Sequence, residues 1–67
     1  MTLPRERSQA LKSTRAFLRS LLDPRETPRV PLSVRVEARW CLRHFPSDLD
    51  IEIAEEKCPE IFGGQDG

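Results

Sequence analysis

The sequence predicts an all-α fold: a small, compact three-helix bundle over residues 1–62, followed by a disordered tail over residues 63–67. Two observations predict it. Apolar residues recur at the i, i+3, i+4, i+7 spacing of amphipathic helices. Prolines separate the segments that carry this spacing, and a proline disfavours helical geometry at the residue before it.

The first helix is expected over residues 4–22. Thr2 is its expected N-cap, and Pro4 suits the first turn, where a missing N–H leaves no hydrogen bond unmade. Asp23-Pro24 ends the helix, and three prolines make the linker over residues 23–30 extended. The side chains expected to turn inward share one helical face: Ala10, Leu11, Thr14, Phe17, Leu18, Leu21 and Leu22.

The second helix is expected over residues 31–45, with Pro31 in its first turn and Pro46 ending it. Its length and the long linker allow it to fold back antiparallel on the first helix. The apolar stripe expected to face Phe17, Leu18 and Leu21 consists of Val34, Ala38, Cys41, Leu42 and Phe45.

The third helix is expected over residues 48–57, with Ser47 as N-cap. Residues 49–53 also alternate apolar and acidic side chains, which is typical of a strand. The capping serine and the Glu-rich continuation favour the helix. Its expected core residues are Ile51, Ala54 and Cys58.

Charge is segregated along the chain, although the net charge is zero. Residues 1–45 carry ten basic and four acidic side chains, giving +6. Residues 46–67 carry one basic and seven acidic side chains, giving −6. The two halves are therefore expected to attract each other, either within one chain or between two copies.

The most unusual surface lies on the second helix, where Arg35, Arg39 and Arg43 follow one another at i, i+4 spacing. Like charges at this spacing destabilise a helix by a few tenths of a kcal/mol each, so an anionic counterpart is expected. Val36 and Trp40 lie beside this row and outside the apolar stripe. Trp and Arg are enriched at binding hot spots, which indicates a non-enzymatic protein-binding or adaptor domain, with a homodimer as one form.

Nucleic acid is the alternative partner, bound by the arginines of the first two helices. The linker is too long for a helix-turn-helix, the sequence pI is 6.6, and the third segment is acidic. These features favour a protein partner. An enzyme is not expected, because the chain has one histidine, no Gly-rich phosphate loop and no Ser/His/Asp arrangement.

Cys41, His44 and Cys58 are the candidate metal ligands, but no fourth ligand or paired cysteine spacing accompanies them. We therefore expect no metal and no cofactor, two buried thiols, and a helix-end role for His44. No apolar run is long enough to span a membrane, and the first ten residues are polar. The expected location is cytoplasmic.

The chain also resembles a family of short, uncharacterised bacterial proteins that begin Met-x-x-Pro-x-Glu-Arg-x-x-Ala and continue to Arg-His-aromatic-Pro. The matching residues are Pro4, Glu6, Arg7, Ala10, Thr14, Arg15, Phe17, Leu18, Arg35, Ala38, Leu42, Arg43, His44, Phe45 and Pro46. The proline-rich linker, Trp40 and the Cys58-Pro59 pair depart from the pattern. The resemblance implies a compact helical domain and carries no activity or catalytic residue.

Overall fold

The chain is all-α in the computed structural model, which describes residues 2–63. No strand occurs in that range, so the predicted all-α class is confirmed. The predicted disordered tail lies, from residue 64 onward, outside the described residues. The helices are α1 (Pro4–Leu22), α2 (Leu32–Arg43), α3 (Asp48–Lys57) and the short α4 (Pro59–Phe62).

Helix α1 begins one residue later than a Thr2 cap requires. The carbonyl of Leu3 accepts from the backbone N–H of Glu6 at 3.0 Å, and the Leu3 N–H donates to Glu6 Oε1 at 2.8 Å. The predicted N-cap Thr2 is therefore wrong. Pro4 is the reason: its fixed φ suits the first helical position, so the cap is the residue directly before it. Thr2 Oγ1 instead accepts from Arg7 Nε at 3.3 Å.

Helix α3 begins with the predicted Ser47 cap, and the helix is confirmed over the strand alternative. The Asp50 N–H donates to Ser47 Oγ, and the Ser47 N–H donates to Asp50 Oδ2, each at 3.1 Å. This reciprocal capping box satisfies two backbone donors at once. It starts the helix directly before the alternating apolar residues and thereby overrides their strand-like pattern.

Helix α2 is shorter than predicted at both ends. Pro31 lies just before the helix in an extended conformation, and its carbonyl accepts from the N–H groups of Val34 and Arg35. At the other end, α2 stops at Arg43 and His44 is the C-cap residue. Pro46 disfavours helical geometry at Phe45, which accounts for the early end.

Helix α4 was not predicted. It starts at Pro59, in the N-terminal position that proline favours, and the backbone N–H groups of Ile61 and Phe62 donate to the Cys58 carbonyl at 3.0 and 2.8 Å.

The chain divides into two compact units. Unit 1 combines the residues up to Ser13 with those from Pro46 onward, and unit 2 is Thr14–Phe45. The predicted single domain over residues 1–62 and the packing of three helices into one bundle stay predictions.

In unit 1, the fully buried residue of α1 is polar and lies outside the apolar face predicted from Ala10 onward. Ser8 is fully buried and its Oγ donates to the Arg5 carbonyl at 3.1 Å, whereas Ala10 is exposed. Lys12 Nζ lies 3.0 Å from Glu55 Oε2. Hydrogen bonds from Lys12 and Ser8 hold the pKa of the Glu55 carboxyl below its usual value. The inward face of α1 is thus rotated in this unit toward Ser8.

The apolar centre of unit 1 is Ile51, the predicted core residue of α3, which is 1% exposed. Arg7 also reaches across this unit, because its Nη1 donates to the Ile61 carbonyl at 3.3 Å. Ala54, also predicted for the core, is half-buried, whereas Ile53 is 46% exposed.

In unit 2, Ala38 is buried and Leu18, Leu21, Leu42 and Phe45 are half-buried, as the amphipathic pattern predicts. Four other members of the predicted inward faces in this unit are exposed: Thr14, Phe17, Val34 and Cys41.

Both cysteines are exposed free thiols, so the prediction of buried thiols is wrong. Cys58 is the C-cap residue between α3 and α4, outside the inward face of either helix. Cys41 lies about 60° around α2 from the buried Ala38 at about 100° per residue, which places it at the edge of the covered face. Helical spacing alone did not show that Cys41 lies at the edge of the covered face of α2 rather than at its centre.

Truncation of Ile51 tests the packing of α3. We expect Ile51→Ala to lower the free energy of unfolding by about 2–4 kcal/mol, because it leaves a cavity in a packed core. Urea unfolding monitored by circular dichroism measures this change. Ile53→Ala is the matched control on the same helix, with an expected loss below about 1 kcal/mol. Equal losses for both variants would contradict the assigned inward face.

Candidate binding site on α2

The guanidinium of Arg35 is held by backbone carbonyls at the end of α1 and in the linker. Its Nη1 donates to the Leu21 carbonyl at 2.6 Å, and its Nη2 donates to the Thr27 carbonyl. Leu21 lies in the last turn of α1, where carbonyls have no partner within the helix. Arg35 supplies the missing donor, so this residue of the predicted arginine row has a structural role.

The linker is turned rather than extended, which corrects the sequence-based expectation. Thr27 Oγ1 donates to the Ser20 carbonyl at 2.8 Å and to the Asp23 carbonyl at 3.1 Å. The Asp23 carbonyl also accepts from the backbone N–H groups of Glu26 and Thr27. These bonds fold the linker against the end of α1 and bring the Thr27 carbonyl to Arg35.

The bonds of Arg35 determine which side of α2 faces outward. At about 100° per residue, Ala38 and Leu42 lie within about 60° of Arg35, and they are buried and half-buried. Val36 and Trp40 lie about 100° and 140° away, and both are exposed. Around the helix, Arg39 and Arg43 lie between the covered side chains and these two exposed ones.

An open depression of about 560 Å³ lies on this outward side. We call its lining the α2 face, and it consists of Val36, Arg39, Trp40, Leu42 and Arg43. The structure thus brings together four of the five predicted site residues, and it replaces Arg35 by Leu42. The sequence pattern placed Leu42 in the core stripe, but this half-buried side chain also forms the floor of the depression.

Trp40 is the most prominent member of the α2 face. Its side chain is 61% exposed, and the guanidinium carbon of Arg43 lies 5.3 Å from the centroid of its ring. A cation over an indole face at this distance is attracted by about 0.5–1 kcal/mol at an exposed site. The contact places a positive charge directly beside the exposed indole.

The α2 face combines apolar area with positive charge. Arg39 and Arg43 are exposed and flank Val36 and Trp40. Arginine is more weakly hydrated than lysine and forms paired hydrogen bonds to carboxylates. This arrangement suits a ligand that carries both aliphatic and acidic side chains.

Other kinds of site receive no support in the part of the chain that the structure describes. No group of three or more His, Cys, Asp or Glu side chains there is positioned to hold a metal ion. No helix in residues 2–63 is long and apolar enough to cross a membrane. A second shallow depression, of about 410 Å³, lies along about two turns of α1, from Arg5 to Ser13, and α1 alone forms its lining.

Comparisons of the chain with protein-family profiles, with curated proteins and with solved structures find no match. The resemblance to short bacterial helical proteins therefore stays a prediction. The function has to be argued from the geometry of the α2 face.

Arg35→Ala tests the structural role of Arg35. The variant leaves the carbonyls of Leu21 and Thr27 without their charged donor, so we expect a loss of about 1–3 kcal/mol in the free energy of unfolding. Arg39→Ala, which removes an exposed arginine from the same row, should change it by less than about 0.5 kcal/mol. Thermal unfolding of the two variants side by side makes the comparison, and a greater loss for Arg39→Ala would contradict the assignment.

Proposed function

We propose that this chain is a small, non-enzymatic protein-binding domain that acts through the α2 face. The observation that carries the proposal is the exposed Trp40, which lines an apolar depression and has the Arg43 guanidinium 5.3 Å from its ring centroid. A large exposed aromatic side chain leaves apolar area in water, and burying it against a partner recovers about 25 cal/mol per Å².

The composition of the α2 face supports a protein partner. Trp and Arg are the side chains most enriched at the centres of protein interfaces, where a few residues provide most of the binding free energy. The two arginines add electrostatic selectivity, since they favour acidic partners and disfavour basic ones. The proposed ligand is a segment with aliphatic side chains for the depression and carboxylates for Arg39 and Arg43.

The proposed domain is a single three-helix bundle of α1, α2 and α3 located in the cytoplasm, as the sequence predicts. Both the bundle and the location rest on sequence patterns, namely the three amphipathic segments and the polar first ten residues.

A peptide selection tests the proposal. Peptides selected from a displayed random library on the immobilised full chain should be enriched in aliphatic residues accompanied by Asp and Glu. For such a peptide, Trp40→Ala should weaken binding about 30-fold or more, the loss expected at an interface hot spot. Fluorescence anisotropy of the labelled peptide measures the affinity.

Phe17→Ala is the matched control, because Phe17 is an aromatic residue of α1 that is as exposed as Trp40. It should leave the affinity unchanged. Titration with random single-stranded and duplex DNA at low and high salt is the counter-test. Tight binding to DNA that falls steeply with salt, in the absence of peptide binding, would contradict a protein-binding role.

A further inference from the structure

Helix α3 carries an exposed face with the same residue spacing as the α2 face and the opposite charge. On α2, the positions i, i+3, i+4 and i+7 are Val36, Arg39, Trp40 and Arg43. On α3, the same positions are Leu49, Glu52, Ile53 and Glu56. Each set spans about 100° of its helix, so two apolar side chains lie beside two like charges in both.

The set on α3, which we call the α3 face, is exposed. Leu49 is 65% exposed and Ile53 is 46% exposed, and both glutamates are exposed as well. The buried Ile51 lies on another side of the same helix and anchors it in unit 1. Helix α3 therefore has apolar side chains on two sides, of which one is packed.

The charges of the two faces complement each other at the same spacing. Arg39 and Arg43 are like charges at i, i+4 on α2, and Glu52 and Glu56 are like charges at i, i+4 on α3. Each pair is mildly unfavourable within its own helix. Antiparallel apposition of the two helices puts arginines opposite glutamates, and Trp40 and Val36 opposite Ile53 and Leu49.

We propose that the partner of the α2 face is the α3 face of a second copy of this chain. This inference rests on the proposed function, and it names the ligand of the same site. Each face is exposed, and the proposed contact joins α2 of one copy to α3 of another. Since every copy presents both faces, a dimer with a two-fold axis contains this contact twice.

The α3 face has the two kinds of side chain that the proposed ligand of the α2 face needs. Leu49 and Ile53 supply the aliphatic side chains for the depression, and Glu52 and Glu56 supply the carboxylates. The contact is small, so it belongs with weak interfaces, and we expect a dissociation constant on the order of 100 µM.

A charge exchange tests this pairing in the full-length chain. Sedimentation equilibrium over a concentration series should show wild-type self-association that weakens as salt rises. The double variants Arg39→Glu/Arg43→Glu and Glu52→Arg/Glu56→Arg should each self-associate about tenfold or more weakly, because like charges then face each other. An equimolar mixture of the two variants should recover wild-type association, since both contacts of the mixed dimer are again complementary.

The matched control is Arg25→Glu/Arg29→Glu in the linker. Each Arg→Glu change alters the charge by −2, so this variant and Arg39→Glu/Arg43→Glu both carry −4 where the wild type carries zero. The linker variant should self-associate as the wild type does. Circular dichroism of every variant checks that the helices are retained.

Two results would overturn the pairing: a wild-type chain that is monomeric up to about 1 mM, or a mixture that does not recover association. The peptide experiment separates this failure from that of the proposed function. A monomeric chain that still binds acidic aliphatic peptides through Trp40 overturns the self-pairing alone, and a chain that does neither overturns both.

Discussion

The hydrogen bonds from the Arg35 guanidinium to the carbonyls of Leu21 and Thr27 are the constraint on which unit 2 depends. They supply a hydrogen-bond donor to a carbonyl in the last turn of α1 and hold the turned linker. They also set the rotation of α2 about its own axis. With Arg35 directed inward, Ala38 is buried and Trp40 faces outward. Within unit 2, one arginine of a three-arginine row thus has a structural role, and the other two are exposed.

The apolar area that remains exposed follows from the size of the chain. A chain of 67 residues buries only about 60% of the surface that its unfolded form exposes. Among the described residues, Ala38 and Ile51 are the fully buried apolar side chains, while Trp40, Leu49 and Ile53 are exposed. Association that covers such side chains adds to the stability of the folded state by mass action. In the proposed dimer, the opposite charges of the α2 face and the α3 face provide selectivity.

The sequence predicted the elements that depend on local signals and missed those that depend on distant partners. Helices α1 and α3 have their predicted bounds because proline, the capping Ser47 and apolar spacing act within a few residues. The buried Ser8 was missed because its environment involves Glu55, which is far away in the chain. The role of Arg35 was missed for the same reason, since spacing along α2 does not distinguish an arginine that meets carbonyls from its exposed neighbours. The exposure of Trp40 did follow from its position outside the apolar stripe.

The fluorescence of Trp40, the single tryptophan of the chain, tests most directly whether the α2 face is open in one copy and covered by another. In dilute folded protein, the emission should resemble that of hydrated indole and be quenched more by iodide than by caesium, because Arg39 and Arg43 attract anions. Raising the concentration should shift the emission to shorter wavelength and protect it from iodide. Emission that is already blue-shifted and protected in dilute folded protein would contradict an exposed α2 face.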